Sequence, residues 1–238
     1  MKVISLLSTA ALTVSLSASG FCTGDSSQEV DLRISQLDGR VTLTLPKSVS
    51  DAEGIAFARE KEVWLRGHLD RRGEDCSVEI GARLPIEGAE RLICAGPGRR
   101  VTLDEEKIFV PGNAEQVPRR LQAFLKQMAR DKLAEASDHY AGVLGKAYTR
   151  ISIRDTRSRW GSCITRGGKG HISYSWRLVC APPFVLDYVA AHECAHMIEA
   201  NHSAAYWAVV DSICDNVKPA KQWLRKNGAL LHAVGANY

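Results

Sequence analysis

The segment His192-Glu193-Cys194-Ala195-His196 carries two imidazoles four residues apart with a carboxylate between them. On a helix, positions i and i+4 share a face and lie about 6 Å apart, so both rings can reach one metal ion. Glu193 is turned about 100° around the helix from His192, which sets its carboxylate at the open side of such an ion, in reach of a water there and not forced to be a ligand. A zinc hydrolase needs this arrangement: a metal that activates water and a general base beside it. With seven histidines in 238 residues, H-E-x-x-H arises by chance in roughly one such chain in a hundred, so the pattern is read as chemistry.

Two residues compete for the third ligand position. Glu199 follows His196 by three residues and His192 by seven, which places it on the same helical face as both. His202 reaches the ion only if the helix ends near Ala200 and the chain turns back, and Asn201 followed by a capping Ser203 gives that break its chemistry. Two or three imidazoles with one exchangeable position suit the tetrahedral catalytic geometry of zinc, so one Zn²⁺ is the expected cofactor. Cys194 points away from the two histidines and is read as core packing.

The stretches RDTRSRWGSC, HISYSWRLVCAPPFVLDYVAAHECAHMIEANHSAAYW and WLRKNGALLH resemble the YgjP-like metallopeptidase family, a zincin group related to SprT-like and WLM proteases. The similarity is close over about residues 149–232 and looser over 30–143, where VTLTLP and AFAREKEVWL have the family's look. The family pattern, H-E-hydrophobic-A-H followed by N-H-S and an aromatic pair, maps onto His192, Glu193, His196, Asn201-His202-Ser203 and Tyr206-Trp207. The resemblance implies His202 as third ligand and a metal-dependent peptidase activity on a peptide or protein substrate. This chain departs from the pattern at Cys194, where the family usually has an aliphatic residue, and in its first 25 or so residues, which lack the family's basic opening strand. Trp160-Gly161-Ser162-Cys163 is a further family signature, expected to form a tight turn. It has two readings, a substrate-facing edge near the metal helix or a glycine-permitted turn beside a buried tryptophan. Tyr174, Tyr206 and Arg177 are candidates to assist an oxyanion, but nothing in their spacing chooses among them, and a structural role serves each as well.

These residues need a scaffold, and the patterning supplies an α+β one. The run VDLRISQLDGRVTLTLP alternates apolar and polar residues around Asp38-Gly39 and predicts a β-hairpin with a type I′ turn. Ser50 and Glu53 form a capping box opening a helix to about Leu69, with Ala56, Phe57, Val63 and Trp64 on its buried stripe. Further strands are expected between Arg71 and Gly112. Glu115 to Val143 reads as a long amphipathic helix, with Leu121, Leu125, Met128, Ala136, Tyr140 and Val143 on one stripe. Strands at Tyr148–Arg154 and His171–Leu178 then precede a helix that starts at Pro182-Pro183 and runs through His196, burying Phe184, Tyr188, Ala191, Ala195 and Ile198. Helices from Ser203 to Cys214 and from Pro219 to about Leu231 complete the chain. The expected organisation is an N-terminal segment 1–25, a β-rich part 30–112 and a zincin-like domain 115–238.

Composition bounds the partners. Apolar residues make up 45% and charged residues 24%, values of a folded globular protein. The net charge of +4 is mild, although arginines cluster at Arg71-Arg72, Arg99-Arg100, Arg119-Arg120 and along Arg150, Arg154, Arg157 and Arg159. The alternative function is therefore a zinc-containing, nucleic-acid-associated adaptor, or a protease acting on DNA-bound proteins. Against the adaptor stands the open fourth metal position, since structural zinc sites are closed by four protein ligands. Seven cysteines without a C-x-x-C pair argue for thiols in a reducing compartment, and a cytoplasmic location is expected. The competing expectation is export, if Lys2 and the weakly apolar run from Val3 to Leu16, ahead of Ser17-Ala18-Ser19, act as a signal peptide.

Overall fold

The computed structural model describes residues 2–7, 13–15, 30–34, 41–69, 78–156, 159–167 and 169–235. The chain divides into two compact units, Met1–Glu74 and Asp75–Tyr238. The class is α+β, as the patterning predicts.

The first unit is a four-stranded antiparallel sheet with helices. Strands β1 (Lys2–Leu7), β2 (Thr13–Ser15), β3 (Asp31–Ile34) and β4 (Val41–Leu45) lie in the order β2-β1-β4-β3. The predicted hairpin pairing is present, with Ile34 opposite Val41 and Leu32 opposite Leu43, while its turn at Asp38-Gly39 lies outside the described residues. Alternation along β4 buries Val41, Leu43 and Leu45. Helix α1 (Asp51–Glu60) opens on the expected capping box: the Ser50 side chain accepts from the Glu53 backbone N–H, and the Glu53 carboxylate accepts from the Ser50 N–H at 2.9 Å. Such a cap stabilises a helix by about 1 kcal/mol.

The single helix expected to Leu69 is interrupted at Lys61, after which α2 (Glu62–Leu69) begins. Its buried face differs in part from the predicted one, of which Phe57 does pack, half-buried, against the core of this unit. Gly54, Ala58 and Leu65 are buried, whereas Ala56 is exposed, Val63 is 86% exposed and Trp64 46%. The physical reason is close approach: a Cβ on Gly54 would stand 2.6 Å from Leu45 Cδ1, so the small-residue face is the one that fits the sheet.

The second unit holds His192, Glu193, His196 and His202. Its first sheet contains β5 (Arg83–Ile86), β6 (Ala89–Ala95), β7 (Thr102–Leu103) and β8 (Lys107–Val110) in the order β5-β6-β8-β7. These strands share one core with the helices that follow. The β5–β6 hairpin turns at Glu87-Gly88, both with positive φ. Its tip docks on the segment ahead of the helix that carries His192 and His196, where the Glu87 and Gly88 N–H groups donate to the carbonyls of Val179 and Cys180.

Helix α3 (Val117–Val143) buries Val117, Leu121, Leu125, Ala129, Leu133, Ser137, Tyr140 and Ala141. The predicted stripe is essentially right, except that Val143 is 59% exposed at the helix end. A three-stranded sheet packs on it: β9 (Tyr148–Arg154), β10 (Gly161–Arg166) and β11 (Lys169–Ser175), in the order β10-β11-β9. Ile172, Tyr174 and Trp176 are buried, in line with the predicted alternation, although Trp176 already begins a 3-10 turn running to Cys180. Trp160-Gly161-Ser162-Cys163 is not the tight turn expected: Gly161, Ser162 and Cys163 are in β10, paired with Tyr174, Ser173 and Ile172. Helices α4 (Pro183–Ala195), α5 (Ala204–Ile213) and α6 (Val217–Ala233) follow. Helix α4 is enclosed on almost every side, with Val185, Leu186, Val189, Ala190 and Cys194 buried beyond the predicted stripe, while Ile198 lies past its end and is 40% exposed.

Candidate metal centre

The chain brings three imidazoles together at the end of α4. His192 lies in the last turn of the helix and His196 caps it, while His202 returns from the following loop. One nitrogen of each ring lies within 4.8 Å of the others, and the Nε2 atoms of His192 and His202 are 3.2 Å apart. Among the described residues this is the one group of three or more His, Cys, Asp or Glu side chains placed to hold a metal ion.

Local backbone chemistry makes the reversal. The helix ends at Ala195 with His196 as its cap, close to the run through His196 expected from sequence and ahead of Ala200 as a ligating His202 requires, and the N–H groups of Ile198 and Glu199 both fold back on the Ala195 carbonyl. Ser203 then caps α5, its Oγ accepting from the Tyr206 N–H at 3.2 Å. Glu199 enters through its main chain: its carbonyl accepts from His196 Nδ1 at 3.0 Å, which fixes the tautomer and leaves the Nε2 lone pair for the cluster. Its carboxylate does not belong to the group.

Aromatic side chains hold the rings. Tyr206 is fully buried, stacks on His196 with centroids 4.5 Å apart, and donates from its hydroxyl to the His192 carbonyl at 2.9 Å. Trp207 stacks on His202 at 5.8 Å, and Lys221 Nζ lies 4.0 Å over the Trp207 ring. Burial, then the imidazoles of His196 and His202 and the Lys221 ammonium, hold the His192 imidazole down at about 4. Burial also lowers His196, against the hydrogen bond to Glu199. Imidazoles whose ring nitrogens converge are the donor set that a cation such as zinc takes.

Glu193 is 4% exposed, and its Oε2 has no hydrogen-bond partner. Burial pushes its carboxyl up from 4.5 to about 8, against the pull of the Arg159 guanidinium. A buried acceptor left without a donor costs about 1–3 kcal/mol, a cost accepted here beside the triad. The space for this carboxylate comes from Gly161, where a Cβ would stand 2.5 Å from Glu193 Oε1. That requirement, and not a turn, explains the glycine of the W-G-S-C motif.

A cleft of ≈ 720 Å³ opens over these groups. Its floor is α4, one wall is Arg159 to Cys163 on and before the edge strand β10, and the other carries His202 and Leu224. Trp160 is held in that wall by stacking on His232 at 4.3 Å. Tyr188 also lines the cleft, where burial, Cys214 and Glu193 push its hydroxyl up to about 12. Sequence reasoning assigned Tyr188 only to the buried stripe and Arg159 only to a basic cluster. Nothing in linear spacing indicates that either faces the triad.

The three oxyanion candidates have other duties. Tyr174 is fully buried with its hydroxyl 2.9 Å from Ser137 Oγ, and Tyr206 is committed to the His192 carbonyl. Arg177, 2% exposed, pairs with Asp155, donates to the Val234 carbonyl at 3.0 Å and lies against Trp176. Cys194 is core, as expected, with its thiol 3.7 Å from the Ser137 carbonyl.

Comparison with known proteins agrees with this geometry. No curated protein and no solved structure matches the chain significantly. The family description "YgjP-like, metallopeptidase domain" matches residues 28–227, which span most of both units and every residue of the triad. The chain therefore belongs to the YgjP-like metallopeptidase domain family.

Proposed function

We propose that this protein is a zinc-dependent metallopeptidase, with His192, His196 and His202 as ligands of one ion and Glu193 as general base. The observation that carries the reading is a buried, unpartnered Glu193 carboxylate beside three imidazoles whose ring nitrogens converge. Zinc bound there supplies a Lewis acid and brings the pKa of water from 15.7 toward about 7.

The protein's own residues do the rest. The Glu193 carboxylate, kept from other partners and backed by the glycine of β10, accepts the proton of the attacking water and returns it to the leaving amine. The edge strand β10 lines the cleft with Gly161, Ser162 and Cys163 and offers main-chain groups on its outer side to an extended peptide. Tyr188 stands in the cleft wall as the hydroxyl donor for charge developing on the scissile carbonyl. No helix among the described residues is long and apolar enough to cross a membrane. A cytoplasmic location, with the thiols reduced, belongs to the same reading, and mass spectrometry of the native N-terminus tests it.

The decisive experiment is metal analysis of the purified chain combined with an unbiased peptide-library digest. Stoichiometric zinc with cleavage that a chelator abolishes is the expected result. Zinc without cleavage of any library member would sink the enzyme and favour an adaptor.

A further inference from the structure

We infer that Arg159 makes the cleft selective for substrates presenting a carboxylate beside the scissile bond. The inference rests on the metallopeptidase reading above and adds the substrate class.

Arg159 is exposed on the cleft rim immediately before β10. Its main chain is anchored, since Thr156 Oγ1 donates to the Arg159 carbonyl at 2.6 Å. The guanidinium forms no ion pair within 4 Å among the described residues, so its donors are available to a ligand. Among the described residues Glu193 is the one carboxylate that lines the cleft, and it is buried beneath the rim, near enough to feel the Arg159 charge. Lys221 lies over the Trp207 ring, and its charge reaches His192. A peptide lying across the triad thus passes the Arg159 guanidinium, with no acidic side chain other than the buried Glu193 among the described residues that line the cleft.

A planar guanidinium matches a carboxylate through two parallel hydrogen bonds, which a neutral amide of the same shape cannot reproduce. A polar site of this kind discriminates against the isostere that lacks the charge. The carboxylate has two sources, an internal Asp or Glu side chain or the free carboxyl terminus of a peptide.

The test uses the full-length, zinc-loaded protein and paired peptides. One arm compares Glu with Gln at each position around the cleaved bond in C-terminally amidated peptides, and the other compares free with amidated C-termini in peptides lacking acidic residues. The expected result is a preference of about tenfold or more in kcat/KM for the carboxylate in one arm, which identifies its source. Arg159→Gln should bring that ratio close to one, and Arg159→Glu should turn the preference toward Lys-containing peptides, a change that a merely structural arginine would not produce. A parent ratio near one, or a preference that survives Arg159→Gln, overturns the inference and leaves the peptidase reading standing. If the parent cleaves no peptide at all, the peptidase reading fails and the inference with it.

Discussion

A methyl group on Gly161 would stand 2.5 Å from Oε1 of Glu193, closer than side-chain atoms pack, so β10 and the buried carboxylate share a space that only glycine leaves open. Gly161→Ala should therefore displace the carboxylate, the strand or both. Misplacing a catalytic group by about 1 Å costs on the order of 10²-fold in rate. The expected outcome is a loss of peptide cleavage of that size with zinc content unchanged, read from kinetics beside metal analysis. Full activity in Gly161→Ala would refute the coupling.

Glu193→Gln keeps the side chain's size and leaves the three imidazoles untouched, but the amide cannot accept a proton. Cleavage should fall by about 10²–10⁴-fold while zinc content and melting temperature stay near those of the parent. A variant as fast as the parent would remove Glu193 from the role of base.

Replacing any one of His192, His196 and His202 by alanine should strip bound zinc, because each supplies one of the converging nitrogens. Glu199→Ala should leave the metal in place, since the contact of Glu199 with His196 is made by a backbone carbonyl that the substitution preserves. Titration with a chromophoric chelator distinguishes these cases. Zinc lost from Glu199→Ala but kept by His202→Ala would reverse the assignment.

His232 gives a pH-dependent contribution to stability. Burial, then the Arg177 guanidinium, lowers its imidazole from 6.5 to about 4, with Asp155 opposing. The folded state therefore favours the neutral ring. The associated stability is fully present above about pH 6.5 and is lost as pH falls from there toward 4, by about 3 kcal/mol at most. His232→Phe keeps a ring against Trp160 and cannot titrate. Urea unfolding at pH 7 and pH 4 should show a smaller drop for the variant than for the parent, and an equal drop would exclude His232 as the source.

The parts of this protein legible from sequence are those ruled by local periodicity and short-range chemistry. Alternation over 41–45 and at Ile172 and Tyr174, the 3.6-residue stripe of α3, the capping box at Ser50 and the serine cap at Ser203 all depend on neighbours within a few residues. The i, i+4 spacing of His192 and His196 belongs with them, because one helical turn is enough to bring the two rings to one face. Tertiary structure alone decided what depends on approach between distant segments. It set Gly54 of α1 against the sheet, where Leu43 and Leu45 leave no room for a Cβ, and left Val63 and Trp64 of α2 exposed. It set Gly161 in an edge strand beneath Glu193, 32 positions away in sequence, and brought Arg159, Tyr188 and Leu224 to one cleft. Linear spacing encodes direction around a helix or strand, whereas burial, carboxylate desolvation and clearance are set by atoms that only the packed chain brings near.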